Sequence, residues 1–239
     1  MLEIRNLTKT YRNAEKSAVK DLNLTVKSGE IYGFLGANGA GKSTTIKCIC
    51  GILEPDSGDI VLDGVNLKTN PIKFKTVLGY VPDLNNAFER VTGKDYILHT
   101  ANLYGKIENL NEKIDELAKN FNLQNAMQEQ IKTYSHGMKQ KLNMIAALIH
   151  DPKLWLLDEP MTGLDPKSTQ ELIAYMKEYV KSGNSIMFSS HILEMVEKIC
   201  DKVCIVDEGK LLGEFEMSEL KKKRQRLGKI YLQMQKKSV

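Results

Sequence analysis

The sequence predicts an α/β protein with a mostly parallel sheet, an antiparallel β portion at the N-terminus and a helical subdomain. Three observations carry that class. Short β-branched runs alternate with helical patterns along most of the chain, as strands and helices of a mixed domain do. Four of the runs are continuously apolar and end in polar or glycine residues, the pattern of strands covered on both faces. One stretch, residues 92–135, breaks the alternation with helical spacing alone. At 239 residues the chain exceeds the usual span of about 100–200 for one domain, which fits a core with a smaller subdomain. With 42% hydrophobic, 27% charged and 7% aromatic residues, it is neither disordered, collagenous nor a disulfide scaffold.

Taken in order, residues 2–7 and Val19–Val26 alternate apolar and polar with period two, as half-buried antiparallel strands do. Ile31–Leu35 and residues 153–157, 185–188 and 203–206 are the buried parallel strands. Leu110, Ile114, Leu117 and Phe121 recur at +4, +3 and +4, and with residues 96–103 before them they form the helical insert. The expected organisation is one domain over residues 1–215, with the insert inside it, and a basic, helical tail over 216–239.

Charge and cysteine usage narrow the function classes. Residues 217–239 hold eight Lys or Arg and one acid, so the tail carries +7 and, the whole chain being +4, residues 1–216 carry −3. Such a body is not a basic nucleic-acid binder, and no nucleic acid is expected as partner. In the tail, Leu220, Leu227, Ile230, Tyr231 and Met234 form an apolar stripe flanked by cations, which reads as a surface-lying helix held to an anionic membrane face or a partner. The longest stretches free of charged residues, 31–41 and 182–193, fall short of the roughly 18 residues a spanning helix needs. The N-terminus MLEIRNLTKTY has no apolar core or cleavage site, so a cytoplasmic location is expected. Cys48-x-Cys50 and Cys200-x3-Cys204 lack zinc-site spacing and read as buried reduced thiols.

The firmest chemical signal follows the strand Ile31–Leu35. Gly36-Ala37-Asn38-Gly39-Ala40-Gly41-Lys42-Ser43-Thr44 fits G-x4-G-K-[ST] between a strand and a helix. Glycines let consecutive backbone N–H groups turn toward phosphate oxygens, and the following helix adds its positive end. Lys42 neutralises the β- and γ-phosphates and the Ser43 hydroxyl ligates Mg2+ in such a loop, so a nucleoside triphosphate with Mg2+ is the expected ligand and a P-loop NTPase core the expected fold. Residues 153–157 then end in Asp158-Glu159-Pro160. An Asp at such a strand end suits Mg2+ coordination through water, and the next carboxylate lies where a general base polarises the attacking water.

These motifs, in this order, resemble the nucleotide-binding subunit of ATP-binding-cassette (ABC) transporters over residues 1–215. The resemblance identifies Ser135-His136-Gly137 with the family's signature segment, Gly163-Leu164-Asp165-Pro166 with the loop after the acidic strand, His191 with the switch histidine at the γ-phosphate and Tyr11 with the aromatic that stacks on adenine. It implies that Ser135 and the Gly137 N–H face the nucleotide of a second subunit, in a homodimer or heterodimer that closes over two MgATP and drives a separate transmembrane permease. Two positions depart from the family pattern. Asp83 stands where a Gln or Glu usually reaches Mg2+, and its arm is shorter. The signature reads Tyr134-Ser135-His136-Gly137-Met138 in place of Leu-Ser-Gly-Gly-Gln, which resembles a bacterial export branch. The alternatives are a soluble cassette ATPase acting on ribosomes, DNA or iron–sulfur assembly, and a regulatory module that binds ATP without turnover.

Overall fold

The computed structural model describes residues 1–12, 14–83 and 88–237. Ten strands are present among them: β1 Leu2–Lys9, β2 Val19–Val26, β3 Ile31–Leu35, β4 Ser57–Leu62, β5 Val65–Asn66, β6 Leu78–Val81, β7 Leu154–Leu157, β8 Ser185–Ser190, β9 Lys202–Asp207 and β10 Lys210–Glu216. They form two sheets. The period-two strands β1 and β2 pair antiparallel and join β4 and β5 in the order β2-β1-β4-β5, with Leu2 opposite both Val26 and Leu62. The continuously apolar strands build the second sheet, β10-β9-β3-β8-β7-β6, in which only the edge strand β10 runs antiparallel.

Period-two side-chain alternation divides the second sheet between two cores. Trp155 and Leu157 of β7, Ile186 and Phe188 of β8, and Val203 and Ile205 of β9 lie in one apolar cluster. Leu154 and Leu156, Met187, and Cys204 and Val206 of the same strands lie in the other. Helices cover the first face. The helices in chain order are α1 Lys42–Ile49, α2 Pro71–Thr76, α3 Gly93–Asn102, α4 Leu110–Asn120, α5 His136–Leu148, α6 Pro166–Lys181, α7 Leu193–Ile199, α8 Met217–Lys222 and α9 Leu227–Lys237. Leu142 and Ile145 of α5, Leu172 and Met176 of α6 and Val196 of α7 pack on that face. The second face is covered by Ile46 and Ile49 of α1 and by the inner residues of the antiparallel sheet, including Leu2, Ile4, Leu22 and Ile60. Each fully buried Leu, Ile or Phe contributes about 1.5–3 kcal/mol, so the sheet is clamped from both sides.

The expected insert holds α3 and α4, joined to the rest through the same core. Ile114, Leu117 and Phe121 are buried as their spacing predicts, and the Phe121 ring meets Trp155 edge-on at 6.4 Å. The helices beside the candidate site begin where the sequence supplies caps. Ser135 accepts from Met138 N at 3.2 Å to open α5, and Asp165 accepts from Ser168 N at 2.9 Å, with Pro166 following, to open α6.

The tail corrects its sequence reading. Its apolar stripe does not lie out on the surface: Leu220 and Leu227 are buried in the helix-side core, and Ile230, Tyr231 and Met234 pack against it. One continuous stripe is also absent, because residues 223–226 break the helix, with Arg224 at φ +51°. Amphipathic spacing demands an apolar neighbour without specifying which. Here the neighbour is the core beside α7 and β10, where Gly213 leaves room for the Met234 methyl at 3.0 Å from a hypothetical Cβ. The cations Lys221, Lys222, Lys223, Arg224, Arg226 and Lys229 remain exposed. Residues 238 and 239 of the expected tail lie outside the described residues.

Candidate nucleotide site

Three neighbouring strands, β3, β8 and β7, end at one carboxyl edge of the sheet, and each runs directly into a segment singled out in the sequence. That edge is where ligands bind in parallel α/β sheets. β3 leads to Gly36, β7 to Asp158 and Glu159, and β8 through Ser189 and Ser190 to His191.

The loop after β3 is tied at both ends. Gly36 N donates to Ser190 O at 3.3 Å, Ala40 N to Ala37 O at 3.2 Å, and Gly209 N to Ala40 O at 3.0 Å. Asn38 and Gly39 form its exposed tip. Gly41 turns the chain into α1 with φ +100°, and a methyl there would lie 2.3 Å from Ala18 O, so conformation and space both require glycine. Lys42 is only 5% exposed; its Nζ donates to Gly36 O at 2.8 Å and Ala37 O at 3.1 Å and lies 3.6 Å from Glu159 Oε1. A buried cation inside a cradle of backbone at a helix N-terminus suits a polyphosphate. Ser43 and Thr44 follow on α1, Ser43 exposed, and the Tyr11 hydroxyl lies 3.2 Å from Thr44 Oγ1. That bond holds an exposed aromatic ring beside the loop's end, where a base can stack.

Opposite the loop, Asp158 is 3% exposed and its Oδ1 accepts from Ser189 Oγ at 2.6 Å. The same hydroxyl accepts from Glu159 N at 2.9 Å. Ser189 was not singled out by sequence reasoning; the only signal was a pair of serines closing an apolar strand. Glu159 has φ +48°, a left-handed conformation, and its Oε1 lies 3.0 Å from His191 Nδ1. One carboxylate thus touches both the loop lysine and the histidine. Asp83 stands nearby. Partial burial of its carboxyl raises its pKa above the ordinary range, the negative charges of Asp158 and Glu159 add to the rise, and His136 and His191 oppose it. Clustered carboxylates, together with the Ser43 hydroxyl, are a donor set that fits Mg2+, which takes one or two carboxylates together with phosphate oxygens.

The residues assigned to a second subunit's nucleotide open α5. Ser135 and Gly137 sit exposed and half-buried at the start of α5, and the Ser135 hydroxyl, accepting from Met138 N, keeps its O–H as a donor. Asp165 is engaged by α6: Ser168 N and then Ser168 Oγ, at 2.7 Å from Oδ2, hold its carboxyl below the usual range.

A glycine-rich loop carrying a buried lysine, on the central strand of a parallel sheet and facing a strand-terminal Asp-Glu pair, defines a P-loop nucleotide-binding protein. The model of the ABC transporter family matches residues 19–162. Over 240 residues the chain is 37% identical to the bacitracin transport ATP-binding protein BcrA of Bacillus licheniformis, covering 100% of this chain and 77% of that one. It is 34% identical over 214 residues to the linearmycin resistance ATP-binding protein LnrL of Bacillus subtilis, covering 89% and 68%. A solved structure described as the ATP-binding subunit of an ABC transporter superposes with a TM-score of 0.90 at 30% identity, covering 98% of this chain and 99% of that chain. The chain belongs to the ABC transporter family as an ATP-binding subunit, and its enzymatic class is ATPase. Among the described residues no helix is long and apolar enough to cross a membrane.

Proposed function

We propose that this chain hydrolyses ATP at the cytoplasmic face of the cell membrane as the motor of an exporter, working as a homo- or heterodimer with a separate transmembrane permease. The observation that carries the hydrolytic half is the meeting of Glu159 with Lys42 at 3.6 Å and with His191 at 3.0 Å. Lys42 and the backbone N–H groups of residues 36–44 bind the β- and γ-phosphates, and Tyr11 takes the base. Glu159 accepts the proton of the attacking water, and His191 orients Glu159 and senses the γ-phosphate. Ser43 and Asp158, with Asp83 at hand, would hold Mg2+, which would supply charge neutralisation. Ser135 and Gly137, exposed and half-buried at the start of α5, have donors suited to a partner's nucleotide. Export is supported by relatives named for bacitracin transport and linearmycin resistance.

Mixed dimers test the shared site. Lys42→Ala disables a chain's own loop and Ser135→Arg the donor lent to its partner, so each variant alone is inactive. In an equal mixture about half the dimers are mixed, each with one intact site, and roughly a quarter of wild-type ATPase activity returns if sites act independently. No recovery, once subunit exchange is demonstrated by labelled chains, rejects sites built in this way.

A further inference from the structure

The residue after Ser135 is a histidine, and its ring has a specific seat. A methyl built on Gly163 would lie 1.9 Å from Cδ2 and 2.5 Å from Nε2 of His136, so the imidazole occupies the space a side chain at residue 163 would fill. Beside it, a Cβ on Gly137 would come within 3.1 Å of Gly163 O. The first turn of α5 therefore rests directly on the segment Gly163-Leu164-Asp165. That segment begins four residues after Glu159 and is tied back to it through the turn in which Thr162 N donates to Glu159 O at 3.1 Å. At its other end Asp165 caps α6.

We propose that His136 is a positioning residue for hydrolysis, its ring wedged on Gly163 so that the start of α5, which carries Ser135, moves as one unit with the loop that follows Glu159. A chain's own hydrolytic carboxylate is thereby linked to the donor it lends its partner, which is how occupancy of one site reaches the other. The link rests on the shared-site reading above. It is steric, since both His136 and Gly163 lie at the surface and the contact sets the Cδ2–Nε2 edge of the ring against backbone. The electrostatic path from His136 to Asp83 is a separate one, which a neutral ring removes.

Four variants of the full chain, assayed for steady-state ATPase with melting temperature recorded, test the wedge. His136→Ala lowers kcat roughly tenfold while KM for ATP stays within about twofold, and His136→Phe, which keeps a flat ring without charge, stays near wild type. Gly163→Ala lowers kcat by about 100-fold because the new methyl drives the ring out and also strains a backbone held at φ +78°. Adding His136→Ala to Gly163→Ala raises kcat several-fold, so the same substitution harms one background and helps the other. Wild-type kcat in His136→Ala, equal losses in His136→Ala and His136→Phe, or a double variant no better than Gly163→Ala each overturns the proposal. If Gly163→Ala fails to fold, the Ala and Phe variants of His136 still decide. A wild-type chain without MgATP turnover refutes the functional reading itself, whereas an active wild type matched by His136→Ala refutes only the link.

Discussion

Glu159 is held from three directions, by the Ser189 hydroxyl at its backbone N–H and by Lys42 and His191 at its carboxylate. Its left-handed φ of +48° is a strained state for a glutamate, which neighbouring contacts must maintain. Glu159→Gln removes the proton acceptor and leaves the phosphate cradle, so turnover falls about 10²- to 10⁴-fold while ATP still binds. With hydrolysis blocked, size-exclusion chromatography in MgATP shows a dimer; a monomer at every concentration contradicts the closed pair. Ser189→Ala removes the donor to Asp158 Oδ1 and the acceptor for Glu159 N together. The expected loss is about 1–3 kcal/mol in a urea melt, with a fall in kcat of roughly tenfold, and an unchanged kcat denies Ser189 a part in aiming Glu159. That Lys42, Glu159 and His191 come together was legible because each follows an apolar strand, and parallel strands end at one shared edge. Ser189 was not, because its two bonds depend on β7 and β8 lying side by side, which chain order does not reveal.

At the scale of elements, strand type was legible wherever burial was complete on two faces or alternated on one. Ile31–Leu35 is buried at every residue and sits in the middle of the parallel sheet, while Val19–Val26 alternates and lies at an antiparallel edge. The tail shows where this logic stops, because a stripe of one spacing serves a bilayer or a neighbouring helix equally. Its burial has a measurable consequence. Leu227, 1% exposed, belongs to the core that also holds Trp155, so Leu227→Ala costs about 2–5 kcal/mol in denaturant unfolding. Were α9 a loosely attached membrane anchor, the same substitution would leave the midpoint unmoved.

Viewed whole, the molecule is a sheet shared by two cores, and the sequence order alone gave no hint that β3 would lie between β8 and β9. Its cysteines report on both halves: Cys48, Cys50 and Cys204 in the core against the antiparallel sheet, Cys200 in the core against the helices. Burial pushes the Cys48 thiol up to about 11, those of Cys50 and Cys204 higher still, and that of Cys200 well above the ordinary thiol range. Since the thiolate is the reactive form, a disulfide reagent at pH 8 leaves all four unlabelled in the folded protein and labels all four in denaturant. Rapid labelling of one in the folded state would expose a breach in that particular core. The sheet also has two very unequal rims. The segments carrying Lys42, Asp158, Glu159 and His191 leave by the carboxyl rim, whereas the amino rim ends in plain turns such as that at Gly183, exposed and with open space around its Cα. Cargo spliced there, a fluorophore-binding peptide or a tether to a surface, would ride on the far side of the motor and let its strokes be watched without touching the working parts.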